Sequence, residues 1–391
     1  MEDVVLVSGV RTAIGKFQGG FANTPASDLA ATVIREAVNR AGIQPSQVDQ
    51  VVLGCVGQVM EDGYIARHAA VKAGLPIEVP AYTVNRICGS GLEAINTAAR
   101  WIQTGDAEVV VAGGAENMTM MPYYLRNARS GYRMGHGEIE DGIIHLLTDP
   151  FNRYHMGVTA ENLADEFEVP REVQDEYALR SQERAAAAIA AGKFKDEIVP
   201  IEVTVGREKV VIDTDEHPRA TTMEALGRLR PAFKEGGKVT AGNASGINDG
   251  AAAVVVMSRR KAEELGVKPR LRLVARAEAG VRPEIMGSGP IPAVQKVLQK
   301  AGMTIDQIDV VELNEAFASV AAACSAALGL DPAKVNPNGG AIALGHPIGA
   351  TGAILTVKTM YELERTGGRY GLVSLCIGGG QGIATIFERV S

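Results

Sequence analysis

The chain has 391 residues, of which 46% are hydrophobic and 22% are charged, and its formal net charge is -7. This composition is typical of folded proteins and excludes a disordered chain, while the length predicts more than one lobe. The acidic balance and the lack of basic runs argue against a nucleic-acid partner. The N-terminus has no signal-peptide pattern and no apolar run reaches bilayer length, so we expect a cytoplasmic protein without a membrane partner.

Short runs rich in Val, Ile and Ala predict buried strands that alternate with helices. The predicted strands cover residues 3–9, 50–56, 108–114, 251–258, 271–279, 308–314, 371–377 and 382–388. Several are apolar at consecutive positions, as in strands that are covered on both faces. A helical pattern over 27–42 has Ser27 or Asp28 as a candidate N-cap and Gly42 as its stop. The sequence therefore predicts an α/β fold with layered helices and sheets.

Residues 41–56 and 301–316 form an internal repeat that shares Ala-Gly, Gln, Asp, Val and Leu at matched places. Nearly the same offset relates Cys88 to His346. A duplicated βαβ unit would place equivalent strand-to-helix turns face to face across a pseudo-twofold axis. Chance similarity between two Val-rich units is the alternative.

The stretch between about 119 and 248 differs in composition from the rest of the chain, and its start is rich in Met, Gly and charged residues. A helix is predicted over 170–192, with Pro170 at its beginning. We interpret this stretch as an insertion into the first half, of the kind that often holds substrate. A solvent-exposed segment without a binding role is equally compatible with the composition.

"NRICGSG" places Cys88 at the start of a helical pattern. Backbone N–H groups and the helix dipole at such a position stabilise a thiolate and lower the pKa of the thiol. Gly89 and Gly91 would leave room for a substrate beside the backbone. A buried, inert cysteine is the alternative interpretation.

Two further motifs carry groups that could act with this thiol. "GHPIGATG" places His346 at the start of another helix, where it could take a thiol proton; a capping or core histidine is the alternative. "CIGGGQG" sets Cys376 at a strand end before three glycines, whose N–H groups can face a developing negative charge. A dinucleotide turn is disfavoured because a strand, not a helix, is predicted to follow.

Asn314 ends a predicted strand in "NEAF" and could hold a water molecule without titrating. Alternatively, Asn314 and Glu315 could cap the helix predicted over 315–329. All four cysteines (Cys55, Cys88, Cys324 and Cys376) are expected to be reduced thiols, and their separations do not form a close-spaced metal-ligand pair. No metal site is predicted.

"NRICGSG", "NEAF", "GHPIGATG" and "CIGGGQG", in that order, resemble the thiolase family, and "RTAIGKFQG" and "NASGINDGAAA" match it as well. The similarity covers essentially the whole chain. "YHMGVTAENLA" and "IMGSGPIPA" are most similar to the biosynthetic type of the family. The resemblance implies a five-layered αβαβα core made from two βαβαβαββ halves, with a loop domain inserted in the first half.

The domain boundaries that follow are residues 1–118 with 249–268 for the N-terminal half, 119–248 for a loop domain that binds CoA and mediates oligomerisation, and 269–391 for the C-terminal half. The resemblance also implies a homotetramer assembled as a dimer of dimers. No tightly bound cofactor is expected, because coenzyme A would be a substrate and product.

By resemblance, the chain would condense two acetyl-CoA molecules reversibly into acetoacetyl-CoA and CoA. Cys88 would be the nucleophile that carries the acyl group, His346 its base, and Cys376 the acid/base that acts on the second acetyl-CoA. The enolate oxygen would be held by His346 and a water positioned by Asn314. The tetrahedral intermediate would use the N–H groups of Cys88 and Gly378.

The resemblance also implies a set of residues that bind CoA or shape the acyl pocket. They are Leu147, His155, Met156, Arg219, Ala244, Ser245, Met286, Ala316 and Phe317. Met156 and Phe317 could equally be core residues, and Arg219 a surface charge. One position departs from the family pattern, because Ala225 stands where a serine is common.

Other enzyme classes and a non-catalytic role are the alternatives. A fatty-acid or polyketide condensing enzyme would lack the second cysteine, and an NAD-binding oxidoreductase would need the glycine fingerprint that is missing. A broader-range 3-ketoacyl-CoA thiolase of fatty-acid degradation is a further alternative. A thiolase-like CoA or lipid carrier would have lost its catalytic groups, and the presence of all four disfavours it without excluding an inactive member of the family.

Overall fold

The computed structural model describes residues 2–390, and the first part of the chain builds one half of its main sheet. These elements are β1 (Val4–Arg11), β2 (Gly15–Lys16), α1 (Ala26–Ala41), β3 (Gln50–Gly54), α2 (Ile65–Lys72), β4 (Ala81–Val84), α3 (Ser90–Thr104) and β5 (Val109–Asn117). Short 3-10 helices cover Pro45–Gln47 and Met60–Tyr64. Strand β4 has no counterpart among the predicted strands, because its four residues, "AYTV", are too few to show a period.

The middle of the chain leaves the sheet and then returns to it. It contains β6 (Tyr123–Tyr124), β7 (Glu140–Asp141), α4 (Gly142–Leu146), α5 (Met156–Glu166), α6 (Arg171–Ala190), β8 (Ile201–Val205), β9 (Glu208–Ile212) and α7 (Met223–Gly227). Strand β10 (Asn248–Ser258) then inserts between β1 and β5 of the first half, and α8 (Arg259–Glu264) follows.

The last part of the chain repeats the first. Its elements are β11 (Leu271–Gly280), α9 (Pro290–Ala301), β12 (Val310–Leu313), α10 (Ala318–Leu328), α11 (Ala341–Leu344), α12 (Thr351–Thr366), β13 (Tyr370–Ile377) and β14 (Gln381–Arg389). Two 3-10 helices, Pro283–Ser288 and Ile305–Gln307, lie among them.

The strand order confirms the duplication. The main sheet runs β12-β13-β14-β11-β1-β10-β5-β3-β4, with β2 paired to β10. In each half a parallel pair (β3 with β5, β12 with β13) is followed by two antiparallel pairings, to β10 and β1 or to β14 and β11. The halves join where β1 and β11 pair antiparallel. Equivalent pairings on both sides of this junction exclude chance similarity as the cause of the repeat.

The helices form three layers around the two halves of the sheet, which confirms the αβαβα arrangement. Helices α3 and α12 pack against each other between the halves, α1 and α2 cover the outer face of the first, and α9 and α10 lie outside the second. Strands β5 and β10 are buried along their whole length, as their continuous apolar runs predict. The boundaries between the three proposed domains remain a prediction.

Two predicted helix starts are wrong because tertiary contacts supply what local capping would have supplied. Helix α1 begins at Ala26 with Pro25 as N-cap, and the backbone N–H of Ser27 donates to the distant Asp62 carboxylate at 3.2 Å. Gly42 does end this helix in the left-handed conformation, with φ of 70°.

Within residues 2–390, no helix is both long and apolar enough to cross a bilayer.

The helix expected from residue 315 starts later, at Ala318, with Phe317 as its N-cap. Glu315 is instead buried, where its carboxylate accepts hydrogen bonds from Ser181 Oγ at 2.6 Å and Asn336 Nδ2 at 2.8 Å. Asn314 and Glu315 therefore do not cap the helix, and Asn314 lies directly after β12, where its Nδ2 contacts His346.

Candidate active site

A cavity of about 370 Å³ lies between the two halves and the inserted segment. Cys88, His346 and Gly378 line it, although they come from positions far apart in the sequence. Asn314 and Cys376 are almost completely buried next to these residues. The structure thus brings the five predicted catalytic residues together at one place.

Cys88 lies at a sharp turn between β4 and α3. Ile87 has φ of 45°, an uncommon value for a β-branched residue, and α3 begins two residues after the cysteine. The backbone N–H groups of Gly378 and of Cys88 itself face the thiol and act to lower its pKa. These donors are the predicted oxyanion pair.

The predicted low pKa of Cys88 is wrong. Burial is the largest influence and raises the pKa of this thiol to about 11, against the two N–H groups. The charge of buried Glu116 raises it further. Cys88 is therefore a neutral thiol at pH 7, and the predicted nucleophilic role would require a base to take its proton.

Gly89 and Gly91 serve packing rather than substrate access. A Cβ on Gly89 would lie 2.7 Å from Ile377 Cδ1, and one on Gly91 would lie 2.8 Å from the backbone nitrogen of Ala353. Neither glycine lines the cavity. The expectation that they leave room for a thioester is wrong, because the close packing of α3 against the second half fills that space.

His346 lies between α11 and α12, five residues before α12 begins, rather than at the helix start. Its backbone N–H donates to Asn248 Oδ1 at 2.9 Å, and its Nδ1 lies 2.6 Å from Thr351 Oγ1. We assign the Thr351 hydroxyl proton to Pro347 O, which lies 2.9 Å from Oγ1, and this assignment leaves Oγ1 to accept from Nδ1–H. This contact leaves Nε2 with a lone pair.

Burial lowers the pKa of His346 to about 4, so the ring is neutral at pH 7. A neutral imidazole whose Nε2 carries a lone pair can accept a proton from a thiol. The side chain is 6% exposed, and the exposed edge lines the cavity. His346 does not cap α12, which begins at Thr351, and its neutral ring at the cavity wall is compatible with the predicted role of a base.

Asn314 contacts the same nitrogen from the other side. Its Nδ2 lies 3.4 Å from His346 Nε2, and its Oδ1 has no hydrogen-bond partner among the described residues. A buried acceptor of this kind requires a donor from substrate or solvent to be satisfied. The arrangement fits the predicted role of Asn314 in holding a water molecule.

Cys376 is the penultimate residue of β13, and the turn of glycines that follows leads into β14. Gly379 and Gly380 have φ of 84° and 88°, which only glycine adopts readily. Burial raises the pKa of the Cys376 thiol well above its usual value, and Cys88 is the next largest influence, so the two thiols are electrostatic neighbours. The strand after the glycines excludes a dinucleotide-binding turn.

All nine residues predicted to bind CoA or to shape the acyl pocket line the cavity. They are Leu147, His155, Met156, Arg219, Ala244, Ser245, Met286, Ala316 and Phe317. Met156, Phe317 and Arg219 therefore face the cavity, although the first two are also largely buried. Arg219 Nη2 donates to Ala241 O at 2.6 Å, which fixes this cation at the cavity wall.

The structure adds two aromatic residues that the sequence reasoning missed. Phe233 stacks on His155 with ring centroids 4.7 Å apart and an interplanar angle of 13°. His217 lines the cavity near Arg219, and burial lowers its pKa to about 4. Phe233 belongs to "RPAF", a conspicuous motif that could have been recognised, whereas His217 has no local signal. Ala225 lies in α7 and does not line the cavity.

Comparisons with known proteins agree over the whole chain. The family model described as "Thiolase, N-terminal domain" matches residues 4–260, and that described as "Thiolase, C-terminal domain" matches residues 267–389. The chain is 55% identical over 392 residues to beta-ketothiolase BktB of Cupriavidus necator, covering 99% of each protein. It is 52% identical to the acetyl-CoA acetyltransferase of Pseudomonas aeruginosa, covering 100% of both.

A solved structure is similarly close. The crystal structure of the Bacillus anthracis acetyl-CoA acetyltransferase superimposes with a TM-score of 0.98 at 48% identity. The match covers 100% of this chain and 99% of that chain.

Proposed function

Since the chain belongs to the thiolase family, we propose that it is an acetyl-CoA C-acetyltransferase that condenses two acetyl-CoA molecules reversibly into acetoacetyl-CoA and CoA. Relatives that carry the name acetyl-CoA acetyltransferase match its full length. The observation that carries the proposal is the single cavity in which Cys88, His346 and Gly378 face the nine residues assigned to the acyl-CoA substrate.

The first half-reaction transfers an acetyl group to Cys88. His346 Nε2 takes the thiol proton while Sγ attacks the thioester carbon, and the N–H groups of Cys88 and Gly378 hold the oxygen of the tetrahedral intermediate. When the intermediate collapses, the carbon–sulfur bond to CoA breaks and Cys376 protonates the departing thiolate. This step leaves acetylated Cys88, protonated His346 and a Cys376 thiolate.

The second half-reaction forms the carbon–carbon bond. The Cys376 thiolate removes a proton from the methyl group of a second acetyl-CoA, and the resulting enolate attacks the acetyl carbon on Cys88. Acetoacetyl-CoA leaves, and the Cys88 thiolate regains its proton from His346. All three groups end in their starting protonation states, and the high pKa of the buried Cys376 thiol favours its reprotonation.

Asn314 and His346 form the second oxyanion site, for the enolate oxygen. His346 Nε2 is protonated in this half-reaction and can donate, and the unpartnered Asn314 Oδ1 can hold a water molecule that donates as well. Removing one such donor typically costs roughly 3 to 4 kcal/mol in the barrier.

The test is thiolysis of acetoacetyl-CoA by the purified protein in the presence of CoA. The wild-type protein should form acetyl-CoA, and Cys88→Ala should abolish the reaction while circular dichroism and melting temperature stay unchanged. Cys376→Ala should still accept label from acetyl-CoA on Cys88 but should fail to form acetoacetyl-CoA. Activity in the Cys88→Ala variant at the wild-type level would overturn the proposal.

A broader acyl range is the second candidate, because three methionines, Met118, Met156 and Met286, line the cavity. Unbranched thioether side chains adapt to differently shaped ligands, which would admit acyl chains longer than acetyl. Measuring kcat/KM for 3-ketoacyl-CoA substrates of increasing length distinguishes the two. A fall of tenfold or more beyond the four-carbon substrate would restrict the enzyme to acetoacetyl-CoA.

Assembly as a homotetramer in the cytoplasm completes the proposal. Support comes from apolar side chains that the inserted segment leaves exposed, among them Tyr123 (65%), Met134 (97%) and Ile139 (67%). Exposed apolar groups in one segment are typical of surfaces that are covered by another protein. Light scattering coupled to size-exclusion chromatography would measure the mass; a monomeric mass would refute this part of the proposal.

A further inference from the structure

Glu116 is a buried carboxylate to which the reaction described above gives no role. It is the penultimate residue of β5 and is 1% exposed. Among the described residues it has no cationic partner, although an unpaired buried carboxylate is costly unless it is hydrogen-bonded. Its compensation comes instead from backbone N–H groups and, more weakly, from the Cys55 thiol, whose Sγ lies 3.6 Å from Oε1.

These N–H groups come from both halves of the protein. Oε1 accepts from Gly57 N at 2.7 Å, and Oε2 accepts from Val56 N at 3.1 Å and from Gly349 N at 2.7 Å. Val56 and Gly57 follow β3 of the first half, whereas Gly349 belongs to the segment of the second half that carries His346. We call Glu116 with these three N–H groups the Glu116 clamp.

The clamp fixes one end of residues 346–349. The other end is fixed by Asn248, which accepts from the backbone N–H of His346 at 2.9 Å. Asn248 is the first residue of β10 and Glu116 the penultimate residue of β5, and these adjacent strands both belong to the first half. The segment that carries the base is therefore held at both ends by side chains from the half that carries the Cys88 nucleophile.

We propose that Glu116 is a positioning residue for acyl transfer: its carboxylate holds residues 346–349 against the first half, so that His346 Nε2 stays within reach of the Cys88 thiol. The proposal rests on the proposed function. A glutamine could not replace this carboxylate, because one of its two terminal groups is an NH2 that cannot accept a hydrogen bond.

Steady-state thiolysis by Glu116→Gln and Glu116→Asp tests the proposal. The first variant loses one acceptor and the second loses reach, so in both we expect kcat to fall by about 10- to 100-fold, since small misplacements of a catalytic group have effects of this size. KM for CoA should stay within twofold of wild type, because Glu116 does not line the cavity.

A second readout separates positioning from general damage. Acetylation of Cys88 by acetyl-CoA requires His346, whereas alkylation by iodoacetamide at high pH requires only the thiolate. In Glu116→Gln, acetylation should slow as much as kcat, while alkylation should be unchanged or faster, since a negative charge near the thiol is gone. Parallel loss of both rates would show disruption of the whole site and would overturn the proposal.

Glu161 offers a matched control. It is also 1% exposed, and its carboxylate accepts from the backbone N–H groups of Lys238 and Val239, at 2.8 to 2.9 Å, within the inserted segment. Glu161→Gln should lose similar stability but keep kcat within twofold. An equal fall of kcat in both variants would assign the effect of Glu116 to stability and would overturn the proposal.

Gly349→Ala disturbs the Glu116 clamp at its Gly349 N–H group. This variant tests the proposal if the Glu116 variants do not fold. An added Cβ would lie 2.7 Å from Glu116 Oε2, so we expect the same loss of kcat with unchanged KM for CoA. Wild-type kcat in this variant, or in folded Glu116→Gln, would refute the role. An inactive wild-type protein would instead refute the proposed function, so the two failures are distinguishable.

Discussion

Replacing Thr351 by valine tests how His346 is prepared for its proposed role as a base. Thr351 Oγ1 lies 2.6 Å from His346 Nδ1, and valine keeps the shape of the side chain but cannot accept this hydrogen bond. A buried N–H without an acceptor costs roughly 1 to 3 kcal/mol. If that cost applies to the transition state, in which the ring gains a proton, kcat falls about 5- to 150-fold.

Acetoacetyl-CoA thiolysis measures this effect, and Thr351→Ser is the matched control because it keeps the hydroxyl. The serine variant should retain most of the wild-type kcat, and KM for CoA should change little in either variant. Nitrogen-15 NMR of the ring should show Nδ1–H in the wild type and a mixture of tautomers in the valine variant. A valine variant as fast as the serine variant would refute the assignment of Nε2 as the prepared base.

Three further expectations concern the thiol, the cavity wall and a helix start. Because burial raises the pKa of Cys88 to about 11, its alkylation by iodoacetamide should rise about tenfold per pH unit from pH 7 to 10; a rate that is flat from pH 5 to 9 would indicate a preformed thiolate instead. Phe233→Ala removes the stacking on His155 and should raise KM for CoA roughly 2- to 10-fold at constant kcat, as steady-state kinetics would show. Asp62→Ala removes the acceptor of Ser27 N–H and should lower the free energy of unfolding in urea by about 1 kcal/mol without affecting kcat.

The sequence motifs predicted the site because each motif is made of residues that lie close together in the chain. Cys88 before a helix, the proline and glycines around His346, and the glycines after Cys376 are recognisable within about eight residues. The repeat between residues 41–56 and 301–316 predicted a duplicated unit, which the equivalent pairings of β3 with β5 and β12 with β13 confirm. It also predicted that the two turns would face each other, and both Cys88 and His346 line the same cavity. Apolar periodicity predicted most strands for the same reason, since it reports burial directly.

The sequence could not predict the pKa of a buried group or the exact start of a helix, because both depend on residues that are distant in the chain. Position at a helix start suggested a low pKa for Cys88, but desolvation by burial outweighs the N–H groups of Cys88 and Gly378 and raises the pKa. The helix over 27–42 begins at Ala26 because Asp62 caps it from 35 residues away, a contact with no local signal.

Glu116 shows most clearly what the sequence determines and what the tertiary structure decides. In the sequence it is one carboxylate at the end of an apolar strand, and nothing near it in the chain suggests a partner. Only the folded molecule places it beside Gly349, which is 233 residues away, and so links it to His346. The sequence determined which residues could react, since reactivity resides in residue type and local turn. The tertiary structure decided their protonation and alignment, because both depend on burial and on donors contributed by the opposite half.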